Sequence, residues 1–283
     1  MLDNAHLSRL LETSIDTVVD LGARHSWTLH RATTGNGQQV FVKAAADCGP
    51  VFAAEAAGLR WLATGTESSP VAEVLAVDEK MLVLPWLAPH ASTVEAARRF
   101  GQDLATVHSH PAEAFGADWD GYIADLALDN TPSTQPWSTW YAEARLLPYL
   151  RDGHQHLEPA EIRLIEEVIA RIDSLAGSTE PPTRIHGDLW SGNVVWSGGR
   201  GVLIDPAAHA GHRETDLAML ALFGIDHLDH ILDSYTEAIP LADGWPDRIP
   251  LHQLHPLLVH LVLFGARYRS AVVEAATAAL RAG

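Results

Sequence analysis

The chain has 283 residues, of which 47% are hydrophobic and 19% charged, values typical of a soluble globular protein with one large domain or two lobes. Its formal net charge of -17 disfavours nucleic acid and anionic membrane surfaces as partners. The single cysteine, Cys48, excludes an internal disulfide and a multi-cysteine zinc site, and without a signal-peptide pattern or an apolar run of about 18 residues we expect a cytoplasmic protein that spans no membrane.

The first 85 residues are predicted to form an N-lobe built on a small antiparallel sheet. Two β-prone segments flank Gly35-Asn36-Gly37, a pattern typical of a hairpin. The predicted elements are, in order, a helix over 5–21, strands over 27–32 and 39–43, a helix over 51–63, and strands over 71–77 and 81–84.

Residues 86–283 are predicted to form a larger, mainly helical C-lobe. A hard break at 178–182, Ser-Thr-Glu-Pro-Pro, precedes a short strand–turn–strand unit. The predicted elements are a helix over 92–109, an irregular connection over 111–136, helices over 137–151 and 158–176, the strand–turn–strand unit over 183–205, and mostly helix over 214–280. The fold class predicted for the whole chain is therefore α+β, with two lobes.

The most informative stretch covers residues 184–206 and contains the spacing H-x-D-x-x-x-x-N followed by two β-prone triplets. Between the triplets lies a glycine-rich five-residue loop, 197–201, so we expect a hairpin centred on Gly199. In that register residue 194 faces 204 and residue 193 faces 205. The pattern therefore predicts that Asn193 and Asp205 lie side by side.

Asn193 and Asp205 offer an amide oxygen and a carboxylate, which are hard ligands of the kind Mg²⁺ prefers. Asp188 lies in the loop that leads to the same end of the hairpin, where it can accept a proton. Phosphoryl transfer needs this division of roles, with one carboxylate orienting the acceptor hydroxyl and others holding metal against the phosphates. The spacing predicts a kinase active site in which Asp188 is the catalytic base.

Two other interpretations account for this stretch less well. Each of its Asp and Asn residues alone is explained as well by a turn, because these residue types often occupy turns, but the complete set favours catalysis. A metallohydrolase with His186 and Asp188 as metal ligands lacks a nearby H-x-H or H-E-x-x-H partner.

Lys43 and Glu55 provide a separate indication from the N-lobe. Kinases of this architecture place a strand lysine at the phosphates and hold it with a helix glutamate. Lys43 ends a β-prone segment and Glu55 lies in the next predicted helix. Because Lys43 and Lys80 are the only two lysines, a functional role for Lys43 is favoured over an edge-strand charge that prevents aggregation.

The chain resembles the fructosamine kinase (ketosamine 3-kinase) family, within the aminoglycoside-phosphotransferase-like group that has a protein-kinase-like fold. The residues that carry the resemblance are His186–Asn193, Leu203–Pro206 and Arg213–Met219, with further similarity at 41–43, 55–59, 82–87, 104–108, 115–116 and 122–123. Trp190-Ser191 and the R-E-x-D-L-A-M run after Asp205-Pro206 favour the fructosamine kinase branch. The resemblance extends from about residue 14 to about residue 270.

The resemblance implies that the protein uses ATP and Mg²⁺. It implies that Asp188 is the base, that Asn193 and Asp205 bind Mg²⁺, and that Lys43, held by Glu55, contacts the ATP phosphates.

Four further residues have roles expected from the resemblance. Pro85 and Leu87, in the segment 84–87, would contact adenine through the Pro85 carbonyl and the Leu87 N–H. His186 and Asp216 are expected to support the site structurally, Asp216 by bonding the backbone of the catalytic loop or by capping the following helix.

The sequence departs from the family pattern at two places. Pro85 stands where the family often has Glu, a change that is tolerated if only the backbone carbonyl is used. The segment 21–27, where the family tends to have a glycine-rich turn, contains a single glycine. Arg24 or Ser26 are alternative phosphate contacts there.

The acceptor substrate is expected between the catalytic loop and the helical C-lobe. Trp190, Tyr122 and Trp137 suit sugar faces and cationic amines, although each is explained equally well as a packing residue. Asp120 and Glu214 are the acidic candidates for a substrate amine.

We therefore expect transfer of phosphate from MgATP to a hydroxyl of a ketosamine, either ribulosamine or fructosamine, free or on a lysine side chain of a glycated protein. One alternative is the same chemistry on an aminoglycoside or another amino-alcohol. Another, suggested by the glycine-poor turn, is a nucleotide-binding pseudokinase. The sequence indicates no oligomeric state.

Overall fold

The computed structural model describes residues 2–46, 50–65 and 69–282, so Cys48 lies outside the described residues. The N-lobe contains a five-stranded antiparallel sheet in the order β1-β2-β3-β5-β4. Its elements are α1 (Asn4–Leu10), β1 (Ile15–Arg24), β2 (Trp27–Thr34), β3 (Gln39–Ala44), α2 (Val51–Ala63), β4 (Ala76–Val77) and β5 (Met81–Pro85).

The C-lobe is mainly helical, and its strands form three two-stranded pairings. Its first half contains α3 (Val94–His108), β6 (Gly121–Ile123), β7 (Leu126–Leu128), α4 (Trp137–Tyr141), a π-helical turn (Ala142–Leu146), α5 (Leu147–Gly153), α6 (Pro159–Ala170) and α7 (Ile172–Leu175). Its second half contains β8 (Thr183–Ile185), β9 (Val194–Ser197), β10 (Arg200–Leu203), β11 (His209–Gly211), α8 (Glu214–Phe223), α9 (Leu228–Ala238), α10 (Trp245–Phe264) and α11 (Arg269–Ala282).

The predicted helix over 5–21 is wrong in its second half. The helix ends at Leu10, and residues 15–24 form the edge strand β1, in which Val18 pairs with Ala32 of β2. The segment Ile-Asp-Thr-Val-Val at 15–19 is rich in β-branched residues, which favour strands. Apolar spacing alone therefore did not distinguish a strand from a helix here.

Two other predicted elements differ from the structure. Of the strand expected over 71–77, only Ala76–Val77 pairs with β5. Ala72 N instead donates to Leu203 O in the C-lobe at 3.0 Å. The connection expected to be irregular over 111–136 contains the β6–β7 hairpin. The N-lobe thus reaches across to the β9–β10 hairpin at residues 70–72.

The core has three parts. One lies against the N-lobe sheet around Val40 and Val42, and one fills the C-lobe around Leu254 and Val272. The third joins the lobes, since buried residues of α2 pack with those of α3 and with Leu189, Val194 and Leu203. This shared core holds α2, which carries Glu55, against the β9–β10 hairpin and the loop before it.

The helical stretch Trp245–Ala282 has the length and composition of a membrane-crossing helix, with mean hydropathy 1.3 over its most apolar window. Half of that window is buried inside the fold, as is usual for a helix that packs into a protein core.

Candidate active site

The loop between β8 and β9 has a tightly constrained backbone. Gly187 has φ +80°, and a Cβ atom there would lie 2.3 Å from the carbonyl oxygen of Ala207, so only glycine fits. At the end of the loop, Asn193 N donates to Trp190 O at 2.9 Å. We call residues 186–193 the catalytic loop.

Asp216 anchors the start of this loop. Its carboxylate is buried and accepts hydrogen bonds from the backbone N–H groups of His186 at 2.7 Å and Gly187 at 2.9 Å. His108 Nε2 lies 3.0 Å from the same carboxylate, and its Nδ1 lies 2.8 Å from the hydroxyl of Tyr235. Burial acts to raise the pKa of Asp216, but these hydrogen bonds and the nearby histidines lower it overall. Asp216 therefore fixes the loop from inside the core.

His186 is engaged through both ring nitrogens. Asp188 N donates to Nδ1 at 3.3 Å, and Nε2 lies 2.8 Å from Ile204 O, which requires the neutral tautomer protonated on Nε2. Burial lowers the pKa of His186, in agreement with this neutral state. Because neither nitrogen is available as a ligand, the geometry does not support a metallohydrolase site at His186 and Asp188.

Asp188 and Asn193 face each other across the loop. The Asn193 side-chain amide donates to the backbone oxygen of Asp188 at 2.8 Å and to its Oδ2 at 3.0 Å. Burial, with a smaller effect from the charge of Asp216, raises the pKa of Asp188 to about 7, and the Asn193 hydrogen bond acts in the opposite direction. Asp188 therefore binds a proton far more readily than an exposed aspartate does.

Asn193 and Asp205 are adjacent, but not through the predicted register. The observed pairs are Val194 with Leu203 and Ser197 with Arg200, which shifts the hairpin by one residue. The predicted five-residue loop is wrong because Gly198 and Gly199, with φ +58° and +76°, form a two-residue turn, and positive φ at both positions matches the strand twist.

The backbone conformation at Asp205 nevertheless brings this residue next to Asn193, as expected. Ile204 N donates to Asn193 O at 3.1 Å, and the Asn193 amide lies 3.4 Å from Asp205 O. Asp205 has φ +55°, an uncommon value for a residue other than glycine, which turns the chain out of the hairpin at this point. Such backbone strain is frequent at functional sites.

Lys43 links the N-lobe to this end of the hairpin. Its Nζ donates to both carboxylate oxygens of Glu55 at 2.8 Å and also contacts the carboxylate of Asp205. Lys43 and Glu55 are buried, whereas the Asp205 side chain is 28% exposed. The three charges join β3, α2 and the end of the β9–β10 hairpin at one point between the lobes.

The donor set at this point fits Mg²⁺. The Asn193 amide nitrogen is held by the catalytic loop, so its carbonyl oxygen remains as the ligand atom, and Asp205 supplies a carboxylate that is open to the cleft. Both are hard oxygen donors, and a metal held by one or two such side chains with water and phosphate is usual for Mg²⁺.

The cleft between the lobes brings together half of the predicted site residues. Those that line it are Lys43, Glu55, Tyr122, Asp188, Trp190, Asn193 and Asp205, together with Arg24, His25, Trp27, Trp119 and residues 206–208. Arg24 and His25 lie at the tight β1–β2 turn, where the sequence has a single glycine.

The sequence model of the fructosamine kinase family matches residues 10–282. The chain belongs to the fructosamine kinase family. A relative from Lactiplantibacillus plantarum, assigned as a ketoamine kinase, is 37% identical over 226 residues, which cover 78% of this chain and 79% of the relative. Members of this family are phosphotransferases with a hydroxyl acceptor, and membership implies the use of ATP.

Solved structures agree with this membership. A crystal structure from Thermobifida fusca, of a protein assigned as a fructosamine-3-kinase, has 50% sequence identity and a TM-score of 0.95, covering 99% of this chain and 98% of that one. A thermostable mutant of aminoglycoside phosphotransferase APH(4)-Ia, in complex with ADP and hygromycin B, has a TM-score of 0.67 at 14% identity, covering 99% and 98% of the two chains. The protein-kinase-like fold class is therefore confirmed.

Several predicted residues of this fructosamine kinase family member lie outside the cleft lining. Asp120 is exposed and lines a neighbouring cavity that also contains Tyr122. Pro85 ends β5 opposite Val40, and Leu87 packs against the core that joins the lobes. The adenine contacts of Pro85 and Leu87 remain predictions.

The structure does not bring Trp137 and Glu214 to the cleft. Trp137 is buried and stacks on Tyr141 at a centroid distance of 4.6 Å. Glu214 is buried and accepts hydrogen bonds from Arg248 Nε at 2.9 Å and Nη2 at 2.6 Å. Both side chains also contact residues of α10, Glu214 through Arg248 and Trp137 through the His252 ring at a centroid distance of 4.7 Å, so we do not retain them as substrate residues.

Two residues near the site, Trp27 and His108, were not predicted from the sequence. Trp27 lies beneath Lys43, with Nζ 5.8 Å from the ring centroid, and His108 is a partner of Asp216. Both are common residue types within a strand and a helix, and their spacing carries no signal. Only the resemblance at 104–108 pointed towards His108.

Proposed function

We propose that the protein transfers the γ-phosphoryl group of MgATP to a hydroxyl of a ketosamine, with Asp188 as the catalytic base. The observation that carries the proposal is the convergence of Asp188, Asn193, Asp205 and the Lys43–Glu55 pair at one cleft. These are the side chains that phosphoryl transfer requires: a proton acceptor, oxygen ligands for metal and a phosphate-binding cation.

Asp188 would accept the proton of the attacking hydroxyl. Its Oδ2 is fixed by the Asn193 amide at 3.0 Å, so the carboxylate is oriented before the substrate binds. The loop that carries Asp188 is itself anchored by the buried Asp216 through two backbone hydrogen bonds. This arrangement favours catalysis by positioning, the main contribution a protein makes to phosphoryl transfer.

Asn193 and Asp205 would hold Mg²⁺. When bound, the ion neutralises negative charge on the phosphates. Asp205 contacts Lys43, so the same carboxylate also keeps the lysine ammonium at the edge of the metal site.

Lys43 would contact the ATP phosphates, with Glu55 holding the ammonium in place through two hydrogen bonds of 2.8 Å. Arg24 also lines the cleft and is placed to add positive charge near the phosphates. Pro85 and Leu87 would contact adenine through their backbone, the role that the family resemblance implies.

The acceptor would be a ketosamine, as the family name and the relatives' names indicate. Trp190 and Tyr122 line the cleft beside Asp188 and suit a sugar face, and Asp120 lies in the adjoining cavity, where it would attract the substrate amine. We extend the proposal to the 3-hydroxyl of ribulosamine or fructosamine, free or on lysine, and to deglycation in the cytoplasm.

The test is release of ADP by the purified protein with ribuloselysine, fructoselysine, an aminoglycoside, choline or no acceptor, with Asp188→Asn as the blank. We expect turnover with the ketosamines alone. Turnover confined to the aminoglycoside or choline would retain the cleft chemistry and overturn the ketosamine assignment. MgATP binding without ADP release from any acceptor would favour a pseudokinase.

A further inference from the structure

An apolar groove extends from the catalytic loop along the C-lobe surface, with a volume of about 580 Å³, which is within the range of small-molecule sites. It shares Asp188 and Trp190 with the cleft, so the two spaces are continuous. The other lining residues are Arg24, His25, Ile123, Ala124, Ser191, Phe223, Val259, His260, Leu263 and Phe264. We call this space the aromatic groove.

The rings of the aromatic groove form a continuous series. Trp190 and Phe223 have centroids 6.3 Å apart, Phe223 and His260 5.1 Å, and His260 and Phe264 5.4 Å. Burial lowers the pKa of His260, so its ring is neutral at pH 7 and belongs to the apolar wall. At the outer end, the Arg267 guanidinium lies 4.5 Å from the Phe264 centroid.

Phe223 and Phe264 are each 40% exposed, and each lies at the last position of a helix that packs into the core through its buried residues. Large exposed apolar side chains on one continuous surface mark binding sites, whereas single ones are ordinary. Here two lie in one groove that opens onto the proposed catalytic base.

The charges of the groove define its ligand further. Arg24 is cationic, and among the described residues that line the groove Asp188 is the only carboxylate. An ammonium group deep in the groove would have no acidic partner there apart from the base itself. The lining therefore favours an apolar ligand and disfavours a second cation.

We propose that the aromatic groove binds the arm carried by the amine nitrogen of the acceptor, and that it prefers an uncharged, apolar arm of several carbon atoms. The inference rests on the proposed function, because a sugar whose hydroxyl meets Asp188 would extend its nitrogen substituent past Trp190. The sugar then determines the chemistry in the cleft, and the groove determines which amine adducts are used efficiently.

The test compares ribulose adducts of methylamine, pentylamine and 1,4-diaminobutane. The pentyl and 4-aminobutyl arms have equal length and differ only in a terminal methyl or ammonium group. Partial burial of each methylene is worth about twofold in affinity, so we expect kcat/KM for the pentyl adduct to be roughly tenfold higher than for the methyl adduct. The 4-aminobutyl adduct should show no such gain.

Phe264→Ala should reduce the pentyl-to-methyl ratio to below about threefold, since Phe264 supplies the outer wall of the groove. Leu147→Ala is the matched control, because Leu147 is 44% exposed and lies on α5, outside the groove. The control should leave the ratio unchanged. An equal effect of both substitutions would contradict a specific role for the groove.

These measurements distinguish a failure of the groove proposal from a failure of the proposed function. Equal kcat/KM for all three adducts, with clear turnover, would overturn the groove proposal and leave the kinase assignment intact. Absence of turnover with every ketosamine would overturn the proposed function. In that case, binding of the pentyl and methyl adducts to the Asp188→Asn variant, measured by calorimetry, decides the groove: equal affinities or no binding would overturn it as well.

Discussion

Two charged clusters, one in the cleft between the lobes and one inside the C-lobe, differ in how their carboxylates are paired. The cleft cluster consists of Lys43, Glu55, Asp188, Asn193 and Asp205, and the core cluster of His212, Glu214, Arg248 and His252. Burial raises the pKa of Asp188 to about 7, and the opposing hydrogen bond from the neutral Asn193 amide does not offset it. Burial acts on Glu214 in the same direction, but hydrogen bonds from His252 and Arg248 lower its pKa to about 2.

The comparison shows that a buried carboxylate is available for proton transfer only if no positively charged partner already holds it in its ionised form. In the core cluster, His212, Glu214 and His252 bring three potential ligand atoms within 4.8 Å. Arg248, however, already donates to both oxygens of Glu214, and its positive charge opposes a metal ion there. Proximity of ligand atoms alone therefore does not identify a metal site.

The largest expected effect is that of Asp188→Asn. An amide cannot accept the hydroxyl proton, so we expect kcat to fall by about 10³- to 10⁴-fold, while MgATP affinity and the melting temperature stay close to wild type. Single-turnover kinetics and thermal unfolding measure these two quantities. A variant with near wild-type kcat would show that Asp188 is not the base.

Glu214→Gln should have the opposite effect to Asp188→Asn, because it should lower stability and leave the kinetic constants nearly unchanged. The substitution leaves the Arg248 guanidinium buried without a counter-charge, so the free energy of unfolding should fall by about 3 kcal/mol. We expect kcat and KM of the folded protein to change less than about threefold. Denaturant unfolding and steady-state kinetics separate the two effects.

Replacement of both partners, Glu214→Gln with Arg248→Met, should recover part of the lost stability, because no unpaired charge remains. A stable Glu214→Gln protein with a raised acceptor KM would restore Glu214 as a substrate residue. It would contradict the purely structural role of the core cluster.

The core cluster should also make stability depend on pH. The pKa of Glu214 is lower in the folded protein than its ordinary value of 4.5, so its stabilising contribution is present above that pH and is lost as the pH falls towards 2. About 2 kcal/mol of the difference in unfolding free energy between wild type and Glu214→Gln should disappear between pH 6 and pH 3. A difference that is independent of pH would contradict the lowered pKa.

Asp205→Ala tests the cleft cluster at its proposed metal site. Because a carboxylate ligand is lost, we expect ATP affinity in the presence of Mg²⁺ to fall by about 100-fold, with little change in the presence of a chelator. Asp229→Ala removes an exposed carboxylate of α9 and is the matched control. Unchanged MgATP affinity in Asp205→Ala would remove Asp205 from the metal site.

The helices and strands that were predicted correctly are those whose pattern lies in neighbouring residues. The helix over 51–63 and the hairpin around Gly35-Asn36-Gly37 occur as expected, because periodicity and turn chemistry are local properties. The prediction failed over 15–24, where helical spacing and β-branched composition conflict, and at Gly198-Gly199, where the turn is shorter than expected.

The sequence by itself determined the family and the two-lobed fold class, and it predicted the site residues of the loop 186–193, because these depend on residue type and short spacing. Only the tertiary structure decided that Glu214 and Trp137 pack inside the C-lobe and that Phe223 and Phe264 line one groove with Trp190. The contacts of Glu214 with Arg248, of Trp137 with His252 and of Phe223 with Trp190 join segments that are tens of residues apart in the sequence. Whether an acid or an aromatic ring faces a pocket or the core depends on the helix packed against it, and residue spacing along one segment does not encode that partner.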